Sequence, residues 1–120
     1  MLLVSALLLL LQENTIDMAK DLTVTELKAK MDAQEPVVLV DVREDYEHEE
    51  FNIGGTLIPV GTLAQRMGEL EGQKEAEIVV YCRSGKRSGV AKQMLERAGF
   101  SNVRNLLGGM LDWEEHYGEG

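Results

Sequence analysis

Ile78-Val-Val-Tyr-Cys-Arg-Ser-Gly-Lys-Arg-Ser88 is the stretch on which the reading of this chain turns. Ile78 to Tyr81 is an unbroken aliphatic and aromatic run, the pattern of a strand buried on both faces, and it ends at Cys82. From Gly85 to Ala98 the pattern is helical, with Val90, Ala91, Met94 and Leu95 as the apolar stripe and Gly99 as the C-terminal stop. Such a strand delivers Cys82 to the carboxyl edge of a sheet, where open α/β folds place their ligands.

Outward from this stretch the same alternation repeats. Thr23-Val-Thr-Glu26 has capping-box spacing and opens a helix carrying Val24, Leu27 and Met31, closed by Glu35-Pro36. Val37 to Val42 predicts a second strand buried on both faces. Residues 43–56 are acidic and irregular and end in Gly54-Gly55. Leu57-Ile58 reads as a short strand, and Leu63, Met67 and Leu70 recur at helical spacing. Val103 to Leu107 is a further core strand, and Gly108-Gly109 leads into a last helix holding Leu111 and Trp113. Strands alternating with helices predict an α/β fold, a parallel sheet covered on both faces.

The 120 residues suffice for one domain with one core. A formal charge of −9 argues against nucleic acid and against an anionic membrane surface, since both reward cationic patches. A single cysteine excludes an internal disulfide, and His48 and His116 form no metal-ligand cluster, so no metal or cofactor is expected. Met1 to Leu11 is apolar except for Ser5, yet shorter than the roughly 20 residues a spanning helix needs. Residues 1–17 are therefore expected to be a docking helix, packed on the domain or on a second copy of the chain, with residues 18–120 as the domain proper. The expected location is cytoplasmic, or exported if residues 1–17 act as a signal, although the run lacks a preceding Lys or Arg.

The loop after Cys82 holds Arg83, Lys86 and Arg87, hydroxyls at Ser84 and Ser88, and Gly85 for tight curvature. Backbone N–H groups curling around one point, followed by a helix N-terminus, form an anion-binding nest. Each feature favours thiolate over thiol, so Cys82 is expected to titrate below the free value of about 8.5. Taken alone, a cysteine at a strand end is more often a core residue and a basic turn is solvated. The basic loop and the helix start together move the reading towards an activated nucleophile acting on an anion.

Four segments resemble the rhodanese family: Asp41-Val-Arg43-Glu44, Asn52-Ile-Gly-Gly55, Cys82 to Ser88, and Leu107-Gly-Gly-Met-Leu-Asp-Trp113. Their order covers about residues 22–117, one rhodanese module. The resemblance implies a five-stranded, mainly parallel sheet with helices on both faces. It also implies a sulfurtransferase in which Cys82 takes sulfane sulfur from a donor such as thiosulfate or a persulfide. The sulfur then passes to cyanide or a thiol, with Arg83, Ser84, Gly85, Lys86, Arg87 and Ser88 as the substrate cradle. Phe51-Asn52-Ile53-Gly54-Gly55-Thr56 departs from the Gly-His-Ile-Pro-Gly-Ala stretch common in the family.

Two other readings use the same architecture. Cys-dependent phosphatases place an Arg after five intervening residues; here four separate Cys82 from Arg87, and Ser88 stands where that Arg would be. Arsenate reductase belongs to the same chemical class. A persulfide carrier or binding module without efficient turnover is the remaining alternative. Asp41 and Arg43, where a strand exits into a loop, are expected to brace the site by hydrogen bonds, with direct substrate contact by Arg43 as the lesser alternative. Glu44, Asp45, Glu47, Glu49 and Glu50 read as a solvated acidic face, and His48 among them as a surface residue. Met110 and Trp113 read as core anchors.

Overall fold

The computed structural model describes residues 21–119. Residues 1–17, expected to form a docking helix, lie outside the described residues, as does Met18. The elements run α1 (Val24–Asp32), β1 (Val38–Asp41), α2 (Asp45–Glu50), β2 (Thr56–Leu57), α3 (Leu63–Arg66), β3 (Ile78–Tyr81), α4 (Lys86–Arg97), β4 (Val103–Asn105) and α5 (Gly109–Tyr117). Turns of 3-10 helix at Val60–Thr62 and Met67–Gln73 flank α3.

The sheet order is β2-β1-β3-β4, and every pairing is parallel. Among the described residues the sheet has four strands where five were expected. The fifth position, outside β4, is represented among them by Leu22, through a parallel bridge to Leu106. Leu22 N–H donates to Asn105 O at 3.2 Å and Leu22 O accepts from Leu107 N–H at 2.9 Å. Thr23 then starts α1 at once: its hydroxyl accepts from Glu26 N–H at 3.2 Å, while Glu26 accepts from Thr23 N–H at 3.0 Å. The capping box thus turns the chain out of the sheet and into α1 directly after Leu22.

β3 is the spine. Ile78, Val79, Val80 and Tyr81 are fully buried, and their side chains alternate between the two faces as a strand requires. Ile78 and Val80 join Val40, Val42, Ile58, Leu63, Ala91, Leu95 and Val103 under α3 and α4. Val79 and Tyr81 join Leu22, Val24, Leu27, Met110 and Trp113 under α1 and α5. Each Val, Leu, Ile or Met among them contributes about 1.5–3 kcal/mol over its exposed state. Cys82 continues the alternation and packs on the α4 face.

Four local expectations change. Val38 and Leu39 are only half-buried, so β1 is buried on both faces towards its carboxyl end only. The acidic stretch after Arg43 is not irregular throughout; it winds into α2, whose N-terminus is held by Glu44 N–H donating to the Glu47 carboxylate at 3.0 Å. Val90 is 53% exposed, because the inward stripe of α4 is Ser88, Ala91 and Leu95, and that phase turns Val90 to solvent. Leu111 is likewise exposed, while Met110 and Trp113 are buried as anchors. Among the described residues, no helix is long and apolar enough to cross a membrane.

Candidate active site

At the carboxyl end of β3 the chain turns through Cys82 to Gly85 and enters α4. The turn needs a left-handed residue, and Gly85 supplies it at φ 101°. Curling back, Gly85 N–H donates to Cys82 Sγ at 3.1 Å, Ser88 N–H at 3.4 Å and the Ser88 hydroxyl at 3.3 Å. Burial pushes the Cys82 thiol up; the Ser88 hydroxyl and the N–H groups of Ser88, Gly85 and Ser84 pull it down further, leaving it below its ordinary value.

The far side of the turn is clamped by α5. Met110 N–H donates to Cys82 O at 2.9 Å and Leu111 N–H to Arg83 O at 3.0 Å, so the unpaired donors of a helix start are satisfied by the loop's carbonyls. This approach leaves no room for a side chain at Gly109, where an added Cβ would lie 2.5 Å from both carbonyl oxygens.

Ser88 is fully buried, and its single proton faces two acceptors. Besides Sγ it lies 2.6 Å from Asn105 Oδ1, and Asn105 Nδ2 donates to Gly85 O at 3.0 Å. Asn105 therefore ties β4 to both ends of the cradle. Sequence reading missed it. Its signal is a polar residue two positions after Val103, hence on the same face of the strand, at the edge where the site lies.

The three cations of the loop are not equivalent. Arg83 and Lys86 are exposed, and neither has an ion-pair partner among the described residues. Arg87 is engaged: Nη1 and Nη2 donate to the two Glu47 oxygens at 2.8 and 2.9 Å. Through that bidentate bond Arg87 is pushed above its ordinary range and Glu47 is held at about 2 instead of 4.5. Glu47, read from sequence as part of a solvated face, is thus a wall of the loop. The exposed hydroxyl of Ser84 lies between the two free cations in sequence.

Behind α2 sits a buried charge pair. Asp41 is fully buried and accepts from Arg43 N–H and Nε at 3.0 Å and from Arg43 Nη2 at 2.8 Å. Arg43 Nη2 also donates to Phe51 O at 2.7 Å. His48 is no bystander on the surface, since its Nδ1 meets Asp41 Oδ2 at 2.8 Å. The Asn52–Gly55 stretch that departs from the family pattern is held independently: Gly54 N–H donates to Asn52 Oδ1 at 2.8 Å, and Gly55 N–H to the Tyr81 hydroxyl at 3.2 Å.

Comparison with known proteins gives the same fold and a consistent family. The chain is 36% identical over 94 residues to YrkF of Bacillus subtilis, half of whose length it spans. It is 34% identical over 100 residues to a protein of Allochromatium vinosum named as a sulfurtransferase, covering 82% of this chain and 92% of that one. The crystal structure of a rhodanese-like domain protein from Staphylococcus aureus superposes with a TM-score of 0.72 at 33% identity, over 78% of this chain and 89% of that one. The family model of the rhodanese-like domain matches residues 23–116, spanning α1 to α5 and the whole loop around Cys82, and the chain belongs to that family.

Proposed function

We propose that this protein is a sulfurtransferase that carries sulfane sulfur on Cys82 and accepts it from thiosulfate. The observation that carries the reading is the cradle: Sγ receives two backbone N–H groups and the Ser88 hydroxyl, and its pKa is lowered despite burial. The similarity to the Allochromatium vinosum sulfurtransferase supports it. In the loading step the Cys82 thiolate attacks the outer sulfur of thiosulfate. The S–S bond of the donor breaks, sulfite leaves with its electron pair, and Cys82 becomes a persulfide. In the second step cyanide or a thiolate attacks the terminal sulfur, and the pair of the broken S–S bond returns to Sγ. No separate base is needed once Cys82 is ionised.

A phosphatase reading has less support, because Ser88 stands where a phosphatase places its arginine and the Arg87 guanidinium is engaged by Glu47, so the loop offers phosphate no bidentate arginine there. The test is Cys82→Ser. Its hydroxyl is similar in size but far too weakly acidic to supply the anion. Thiocyanate formation from thiosulfate and cyanide is expected to fall to background in the variant. Mass spectrometry of the wild type after thiosulfate is expected to show one added sulfur on Cys82. Full activity in the variant would refute the assignment.

A further inference from the structure

A groove of about 330 Å³ opens beside the loop, lined by Arg43, Glu50, Arg83, Leu111, Glu114 and Glu119 among others. Its wall is fixed to the backbone of the loop that carries the candidate nucleophile, because Met110 and Leu111 donate to the carbonyls of Cys82 and Arg83, and Arg83 itself lines the groove. Arg43 is 5% exposed, and its Nε and Nη2 are bound to Asp41 and Phe51. Nη1 has no protein partner among the described residues. No fully buried side-chain nitrogen or oxygen among them lacks one, so Nη1 is open to solvent, and the groove is the cavity that Arg43 lines.

The charges of this groove sort into matched and unmatched. Asp41 offsets Arg43, and Arg87 offsets Glu47. What remains among the lining residues is Arg83, with the unpaired Nη1 donor of Arg43, and the carboxylates Glu50, Glu114 and Glu119. A simple anion such as thiosulfate meets three carboxylates there, and a simple cation meets Arg83. A zwitterion satisfies both sets at once, since guanidinium groups bind carboxylates and carboxylates bind ammonium. The volume suits a small molecule.

We propose that this groove is the acceptor subsite and that it takes a zwitterionic amino-acid thiol, its carboxylate on Arg83 and Arg43 and its ammonium towards Glu50 and Glu114. The proposal rests on the sulfur-transfer reading of Cys82 for its meaning. The acceptor thiolate attacks the terminal sulfur of the Cys82 persulfide, the S–S bond to Sγ breaks with its electron pair on Sγ, and the acceptor leaves as a persulfide.

Four acceptors discriminate the subsite: cysteine, cysteamine (no carboxylate), N-acetylcysteine (no ammonium) and 2-mercaptoethanol (neither). Half-saturation is measured in single-turnover transfer from thiosulfate-loaded protein, at equal thiolate concentration. Cysteine is expected to saturate at a concentration about five- to tenfold lower than 2-mercaptoethanol, the scale of partly exposed ionic contacts. Arg83→Gln is expected to weaken cysteine and N-acetylcysteine but not cysteamine. The double variant Glu50→Gln/Glu114→Gln is expected to weaken cysteine and cysteamine but not N-acetylcysteine. Equal half-saturation for all four thiols, or variants that shift all four alike, would overturn the proposal. Binding of unreactive S-methylcysteine to the unloaded protein, followed by NMR shifts of Arg83 and Leu111, is scored separately. If thiosulfate fails to load Cys82 yet S-methylcysteine binds with the same dependence on Arg83, the subsite stands and the donor assignment falls. If S-methylcysteine does not bind, the subsite is refuted whatever the loading shows.

Discussion

Around Cys82 Sγ the hydrogen-bond donors are neutral, two backbone N–H groups and a serine hydroxyl, whereas the wall behind the loop is built from full charges: Asp41 with Arg43, and Glu47 with Arg87. The difference separates two tasks. Neutral donors lower the thiol pKa without placing a counter-ion on the sulfur, so the thiolate stays available to attack. The charged pairs hold shape, because a bidentate guanidinium–carboxylate bond fixes both distance and plane. Three cations in five residues look, in the sequence, like the source of thiolate stability. In the fold, Arg87 is spent on Glu47, and the Ser88 hydroxyl is the strongest of the groups that pull Cys82 down.

The division can be broken most severely on the charged side. Asp41→Ala leaves the Arg43 guanidinium, nearly all of it buried, without its carboxylate, and a loss of about 3–5 kcal/mol is expected. Urea unfolding measures it. In the fraction that remains folded, the pH midpoint of iodoacetamide alkylation at Cys82 is expected to stay near that of the wild type. A large shift of that midpoint would show that the charged wall tunes the sulfur after all.

Ser88→Ala tests the neutral side. It removes one donor to Sγ and leaves the buried Asn105 Oδ1 without its hydroxyl, at about 1–3 kcal/mol. The alkylation midpoint is expected to rise, since the foremost lowering contribution is lost, and sulfur transfer at neutral pH to fall with the thiolate fraction. An unmoved midpoint would assign the thiolate to the backbone N–H groups alone.

Glu47→Gln is expected to be milder, about 1 kcal/mol at neutral pH, because Arg87 is one-third exposed and solvent screens the pair. The pH dependence has a definite sign. Glu47 is depressed from 4.5 to about 2 in the folded state, so its contribution is complete above its unfolded value and is lost as pH falls from about 4.5 towards 2. The difference in stability between wild type and Glu47→Gln is therefore expected to close across that interval. A difference that persists unchanged at pH 2 would show that the side chain acts by packing rather than by charge.

Much of this site is legible before any coordinates. The run Ile78 to Tyr81 announces a buried strand, Cys82 its carboxyl end, and Gly85 the left-handed entry to α4, because each rests on local sequence pattern. Asn105 and Val90 are harder, since both depend on the phase of an element relative to its neighbours. A helix beginning at Lys86 can bury Val90 or Ser88 but not both, and the bonds between Ser88 and Sγ go with the choice of Ser88. Among the described residues the fifth strand is reduced to one bridge for a similar reason: Leu22 pairs with Leu106, and the capping box at Thr23 turns the chain into α1 directly after it.

The sequence by itself determined the α/β alternation, the place of Cys82 at the sheet's carboxyl edge and the cradle that follows it, because propensity, burial pattern and loop curvature act over a few residues. Only the tertiary structure decided which charges are free. Glu47 and Arg87 are 40 residues apart in the chain and meet because β1 and β3 are adjacent parallel strands whose carboxyl ends lie together. That meeting engages one cation of the loop and leaves Arg83 and Lys86 without ion-pair partners among the described residues. No composition of the loop could have settled it, since an ion pair depends on three-dimensional distance and not on distance along the chain.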